Sequence, residues 1–412
     1  MPSPAHRFLR FLERSTKTDL RNLARNGIAL AGSDLLISLL GLGLSVLIAA
    51  LIPKETFGIY RYVVALSGIA VAFSLTGMNS AVTRAVALGR HGVFRTSLRP
   101  QMRFALLQVL VIGACAAYYA FKGNETYAIA LAVVACLAPV TGVFNTYTAY
   151  LNGTQAFGRL GLYRIQGALI NVGAMCAVVV THPTVIGLTV AYFLSTLVTN
   201  AWFLRKTLVQ VPAEALSDPG DIAYGKHLSV INSVSIVATQ LDALLLYHLL
   251  GPVALALYSF AILIPERVRA FLTFLPNAAL PRLTNRTANE IRATLLPRIG
   301  WFAAISSGIA LAYALAAPYL FAVLFPAYAE AVPYTQLAGL FAVTAVVGYL
   351  SAALTALRAE RALYIVSLVS LVTKIALTVG GILLFGIIGA LVARLLAACV
   401  QGMMSFYFIS RA

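Results

Sequence analysis

Charged side chains stand inside long apolar runs of this chain, and they are the residues that could do chemistry. On the acidic side they are Asp34, Asp242 and Glu266; on the basic side, Arg61, Arg267, Arg269, Lys374 and Arg394. An ionised group in hydrocarbon is costly unless it meets a partner or water, so each is a candidate site residue. Cations outnumber acids, which suits an anionic ligand and phosphate above all. Arginine offers a planar fork to phosphate oxygens and lysine a point charge. Two plainer readings compete. Glu266 and Arg269, at i and i+3, could form an ion pair that only holds structure. Arg61 and Arg394 fall near the ends of their runs and could snorkel to the interface.

Uncharged polar residues share faces with these groups. Asp34, Ser38, Gly41 and Ser45 recur at helical spacing, as do Asn232, Ser235, Thr239 and Asp242, and again Ser259, Glu266, Arg269 and Thr273. Steps of three and four gather side chains on one side of a helix. For the serines, threonines and glycines the competing reading is close helix–helix packing. Asp34, Asn232, Asp242 and Glu266 are read as the lining of a polar cavity.

The elements that must position these groups are membrane helices. Mean hydropathy is +0.89, with 60% apolar residues and 10% charged. A bilayer can remove that much apolar surface from water. Inside it the backbone must satisfy its own hydrogen bonds, so the spans should be helical. They are read at 27–52, 57–81, 104–121, 127–150, 164–181, 185–204, 227–250, 254–279, 299–325, 333–357, 362–385 and 387–409. Most hold roughly 18–26 residues, enough for a ~30 Å core. Breaks are predicted at Pro53, Pro183, Gly251–Pro252, Pro326, Pro333 and Gly386, where a donor is missing or a turn is cheap.

Positive charge sits in every second loop. Arg84, Arg90, Arg95, Arg99 and Arg103 follow span two, Arg159 and Arg164 span four, and Arg205, Lys206 and Lys226 span six. The positive-inside rule places both termini in the cytoplasm. The formal charge of +17 is therefore mostly topological, and its spread over short segments argues against a nucleic-acid partner. In residues 1–26, Phe8, Leu9, Phe11 and Leu12 alternate with Arg7, Arg10 and Arg14. They predict a short amphipathic helix on anionic headgroups, against a basic tail that only sets topology.

Nothing in the sequence marks an enzyme. There is no P-loop, HExxH or GxSxG motif, and the histidines lack metal-ligand spacing. Cys115, Cys136, Cys176 and Cys399 form no CxxC, so no metal, disulfide or cofactor is expected. No catalytic residue is assigned. The outer loops are too short to hold an active site, which favours a transporter over a membrane enzyme of polysaccharide synthesis.

The chain also repeats itself at an offset near two hundred residues. Ile186-Gly187-Leu188-Thr189-Val190-Ala191 resembles Ile388-Gly389-Ala390-Leu391-Val392-Ala393, and Leu162-Tyr163 resembles Leu363-Tyr364. The predicted fold class is an all-α polytopic membrane protein of about twelve helices in two pseudo-symmetric six-helix lobes, a parallel repeat. The lobes are read at 27–204 and 227–412, joined by a cytoplasmic linker at 205–226.

This layout resembles the multidrug/oligosaccharidyl-lipid/polysaccharide exporter superfamily, and within it Wzx-type polysaccharide flippases. The residues that carry the likeness are Leu51-Ile52-Pro53 with Phe57-Gly58-Ile59-Tyr60, and a weaker copy at Leu250-Gly251-Pro252 with Leu257-Tyr258. Asn152-Gly153 with Phe157-Gly158-Arg159, and Gln240-Leu241-Asp242, are also similar. The resemblance implies alternating access by a two-lobed transporter in the cell inner membrane. The implied cargo is an undecaprenyl-pyrophosphate-linked oligosaccharide for O-antigen, capsule or exopolysaccharide assembly. The bilayer is the implied surrounding, and a polysaccharide polymerase a further partner. It implies that Asp34, Asp242 and Glu266 carry a coupling proton or sodium ion. An ion-coupled small-molecule exporter shares the architecture, but cationic drugs want acidic walls and these lean basic.

Overall fold

The computed structural model describes residues 20–211, 215–283, 288–357 and 360–411, and among them there is no strand. The chain opens with α1 (Leu20–Leu51) and α2 (Lys54–Ala70), the latter ending in a 3-10 turn, Val71–Phe73. α3 (Met78–Ala87), α4 (Val93–Phe121), α5 (Glu125–Phe144), α6 (Tyr147–Gly153), α7 (Phe157–Thr181) and α8 (Val185–Leu208) follow. α9 runs Pro219–Leu283 and α10 Ala288–Leu324. After a 3-10 turn at Pro326–Ala331 come α11 (Val332–Ala338), α12 (Phe341–Thr344), α13 (Val346–Ala356) and α14 (Glu360–Arg411).

Ten stretches of the described residues are long and apolar enough to cross a bilayer. Two are too long for one crossing. The apolar part of α9 has 55 residues, about 80 Å as a straight helix, against a ~30 Å hydrocarbon core. Each of these two turns back at a glycine in a conformation that side chains resist: Gly251 at φ 87° in α9 and Gly386 at φ 58° in α14. The arms around Gly386 touch through backbone, since a Cβ on Gly389 would run into the Gly381 carbonyl oxygen. Counted as hairpins, they bring the crossings to the predicted twelve.

The outer surface has the polarity of a protein in lipid. Leu311, Leu315, Tyr319 and Val323 step by four along α10 and are 63%, 67%, 77% and 79% exposed. Water would penalise such a stripe, whereas hydrocarbon does not.

Several boundaries differ from the sequence reading. The second span, expected unbroken over 57–81, is interrupted between Ala70 and Met78. The backbone groups freed there are recaptured by serines one turn apart on α9. Ser229 Oγ accepts from the Gly77 N–H at 3.0 Å, and Ser233 Oγ donates to the Ala72 carbonyl at 2.7 Å. A break inside hydrocarbon persists only with such replacement partners. Arg95, Arg99 and Arg103, expected in a loop, stand on the first turns of α4. A membrane helix can continue into water, and arginine is a good helix former. Pro333 does not break a helix but lies in the first turn of α11, where its missing N–H costs nothing. Residues 20–26 belong to α1, and Lys226 to α9. The basic segment around Phe8 and Leu12, and Pro212–Glu214 of the expected linker, lie outside the described residues.

The chain forms two compact units, Met1–Leu47 with Ala70–Val234, and Ile48–Ile69 with Ser235–Ala412. In the first, α4 packs along α5, α5 along α8 and α7 along α8. Its core gathers Met78, Val82, Phe94, Leu151 and Phe203, with Tyr163 stacked on Phe203 at 4.4 Å. Polar side chains join its helices: Asn171 donates to Ser195 Oγ at 2.9 Å and Thr146 to Gln101 at 3.1 Å. In the second unit α13 packs on α14, and α10 on α11 and α12. Thr335 links them by donating to the Ala261 carbonyl at 2.7 Å, with Tyr313 hydroxyl 2.6 Å away.

Candidate functional site

In the second unit the α9 hairpin brings Asp242 and Tyr258 to one level. Asp242 lies nine residues before Gly251 and Tyr258 seven after it, about 13 and 10 Å from the turn. The buried Tyr258 hydroxyl donates to Asp242 Oδ2. Arg394, on the second arm of α14, completes the group. Its Nη1 donates to the Tyr258 hydroxyl at 3.1 Å and lies 3.6 Å from Asp242 Oδ2. Its Nη2 donates to Glu266 Oε1. Glu266 also accepts from Arg269 Nε at 2.9 Å. The Arg394 side chain is 20% exposed and that of Asp242 6%, with the Phe341 ring 4.7 Å from the guanidinium.

Arg394 therefore does not snorkel. It sits between two carboxylates, and its length lets one guanidinium serve both arms of the hairpin. The Glu266–Arg269 pair anticipated as a plain structural reading is present, but as one edge of a larger network. Lys374, on the first arm of α14, donates to the Ala238 carbonyl at 2.8 Å and lies within electrostatic reach of Asp242 and Glu266. Arg61 donates through Nε to Ser259 Oγ at 3.2 Å. Arg267 is exposed and stands apart from the network. One residue from Glu266 is a 100° turn, which carries it off the face shared by Glu266, Arg269 and Thr273.

The network holds three cations, Arg269, Lys374 and Arg394, against two carboxylates, Asp242 and Glu266. Arg394 faces both carboxylates, so its charge is committed within the network. Among the described residues Arg269 bonds through Nε alone, and its side chain is 40% exposed. Lys374 spends one of three N–H groups on a neutral carbonyl. The capacity to bind a further anion thus resides in Arg269 and Lys374, the two cations with donors to spare.

In the first unit Asp34 meets Arg164 of α7, Oδ1 to Nη2 at 2.5 Å. Both side chains are substantially exposed, 56% and 39%. Ser45 turns inward on its own helix, donating to the Gly41 carbonyl at 2.8 Å. Asn232 is half-buried in this unit, on a different unit from Asp242, with which it shares a sequence stripe. Thr239 donates to the Ile236 carbonyl at 2.6 Å, so that stripe is partly self-satisfied. Among the described residues no group of histidine, cysteine and acidic side chains could hold a metal ion.

Tyr258 and Arg164 were not anticipated. Tyr258 looks apolar in a hydropathy reading, although its place seven residues past Gly251, across the turn from Asp242, marks it once the hairpin is drawn. Arg164 was counted among loop charges, yet it lies within α7.

Charges buried between membrane helices mark a candidate site in a multispan membrane protein, and the fold agrees with that of solved transporters. An inward-facing multidrug resistance MATE family transporter of the MOP superfamily superposes with a TM-score of 0.70 at 17% identity, over 91% of this chain and 95% of that one. An outward-facing one gives 0.62 at 16% identity, over 95% and 96%. A MOP superfamily transporter from Pyrococcus furiosus, whose reversed binding-pocket polarity suggests a different function, gives 0.61 at 16%, over 94% and 95%. No curated protein matches the sequence. Residues 23–287 match the model of the polysaccharide biosynthesis protein family, and the chain belongs to that family. Family and fold are those of transporters, and the fold is one that supports both inward- and outward-facing states.

Proposed function

We propose that the chain flips an undecaprenyl-pyrophosphate-linked oligosaccharide from the cytoplasmic to the periplasmic leaflet by alternating access, for O-antigen, capsule or exopolysaccharide assembly. It works in the inner membrane with both termini cytoplasmic and six-helix lobes at 27–204 and 227–412. The observation that carries this reading is the surplus of cation in the α9–α14 network. Arg394 bridges the two carboxylates and Arg269 shares Glu266 with it, which leaves a net charge of +1, while Arg269 and Lys374 keep unspent donors. A pyrophosphate would complete their charge and their hydrogen bonds. Family membership supports a polysaccharide cargo.

The rival reading, an ion-coupled small-molecule exporter, draws on the likeness to multidrug transporters. A cationic drug would meet net positive charge at this network, which disfavours it. The Pyrococcus furiosus transporter is a precedent for this fold with altered pocket polarity serving another role. Asp34, 56% exposed beside Arg164, is the coupling carboxylate in this scheme, because Asp242 and Glu266 are only 6% and 25% exposed within the network.

The test is export in cells. Lys374→Ala and Arg269→Ala should abolish surface glycan with protein level unchanged, and lipid-linked precursor should accumulate on the cytoplasmic leaflet. Normal export by both variants would overturn the proposal.

A further inference from the structure

The first unit contains a groove of about 290 Å³, and its chemistry is unlike that of the ion network. Phe144 at the end of α5 and Ala201, Leu204 and Leu208 on α8 make it apolar, while Arg95 and Arg205 stand at its edge. Arg95 lies in the first turn of α4, and Arg205 in the last turn of α8. Arg95 Nη2 donates to the carbonyls of Leu208 and Val211 at 3.0 and 2.9 Å, at and just past the end of α8. Those acceptors are neutral, so the charge remains. Among the described residues neither arginine makes an ion pair.

Two further observations fix the surroundings. Lys206 lies over the exposed Trp202 ring at 4.5 Å. A tryptophan and a lysine at a helix end mark the boundary between headgroups and hydrocarbon. From the same end, α4 presents Met102, Leu106 and Leu110 at steps of four, 38%, 61% and 66% exposed, a stripe that faces acyl chains. Apolar walls offer a free anion nothing, and two uncompensated cations offer a neutral lipid little. The combination fits an amphiphile that joins a phosphate to a hydrocarbon chain.

We propose that this groove binds an anionic phospholipid of the cytoplasmic leaflet. Its phosphate sits on Arg205 and the remaining donors of Arg95, and the first methylenes of one chain lie against Phe144, Ala201 and Leu204. The site does not depend on the nature of the transported cargo. Basic pockets between membrane helices on the cytoplasmic side are suited to such headgroups.

The test uses the purified full chain in neutral detergent, with lipid retention read by native mass spectrometry and stability by thermal unfolding. Phosphatidylglycerol should be retained and raise the unfolding midpoint, whereas phosphatidylcholine and glycerol 3-phosphate should not. Arg205→Gln removes an exposed charge and should weaken phosphatidylglycerol binding about fivefold. Ala201→Phe, which fills the groove and leaves both charges, should weaken it as well. Arg95 is left in place because it also caps α8. Equal retention of the two phospholipids, full binding by both variants, or equal protection by glycerol 3-phosphate alone would each overturn the proposal.

Discussion

Replacing Arg394 with methionine keeps an unbranched apolar stem and removes the charge shared by two carboxylates. Glu266 retains Arg269 at 2.9 Å, but Asp242, 6% exposed, retains the neutral Tyr258 hydroxyl as its hydrogen-bond partner, with Lys374 within electrostatic reach but not paired to it. Removing one partner of a buried ion pair costs about 3–5 kcal/mol, because the other charge is left uncompensated. The expected loss is therefore about a hundredfold or more in the folding equilibrium. It should concentrate on Asp242, so Asp242→Asn in the same chain should recover a good part of it. The amide still accepts from Tyr258 and carries no charge. Thermal and denaturant unfolding of the four chains of this double-mutant cycle, in one detergent, gives the coupling, expected in the range of about 0.5–3 kcal/mol for groups in one network. An Arg394→Met protein as stable as the parent, or an Asp242→Asn change that adds to the damage, would refute the network as drawn.

Arg267→Ala should export glycan normally while Arg269→Ala does not, since neighbouring positions face different sides of the helix; equal loss in both would break that assignment. Lys374→Arg should recover part of the export lost in Lys374→Ala, because charge survives while geometry changes, and full loss would assign Lys374 a role other than holding an anion. Gly386→Val should cost about 1–3 kcal/mol through its strained backbone, measurable as a lower unfolding midpoint, whereas an unchanged midpoint would contradict the turn at φ 58°. Reporters active only in the periplasm should work when fused after residues 124, 183 and 330, and fail after 92 and 288; the reverse pattern would invert the proposed orientation.

The fold was legible because hydrocarbon imposes simple rules. Span length, and the glycines at 251 and 386, follow from bilayer thickness and backbone sterics alone. The interruption at Val71–Gly77 was hidden, since its partners Ser229 and Ser233 come from a helix far along the chain. The candidate site was half legible. Charges at Asp242, Glu266, Arg269, Lys374 and Arg394 were found by their cost in an apolar run, but depth along one helix cannot reveal a partner on another. That is why Arg394 resembled an interfacial residue and why Tyr258 passed as apolar. Arg267 was separable from Arg269 by helical phase alone. Arg164 was obscured because topology already accounted for its charge.

The proposed function is movement of an anionic lipid-linked oligosaccharide across the bilayer. The most direct measurement is in liposomes containing the purified protein and a fluorescent undecaprenyl-pyrophosphate oligosaccharide, with a membrane-impermeant quencher reporting the leaflet. The labelled lipid should cross with the parent protein and not with Lys374→Ala, and a cationic dye should not be transported. Transport of the dye by a protein that leaves the lipid in place would contradict it.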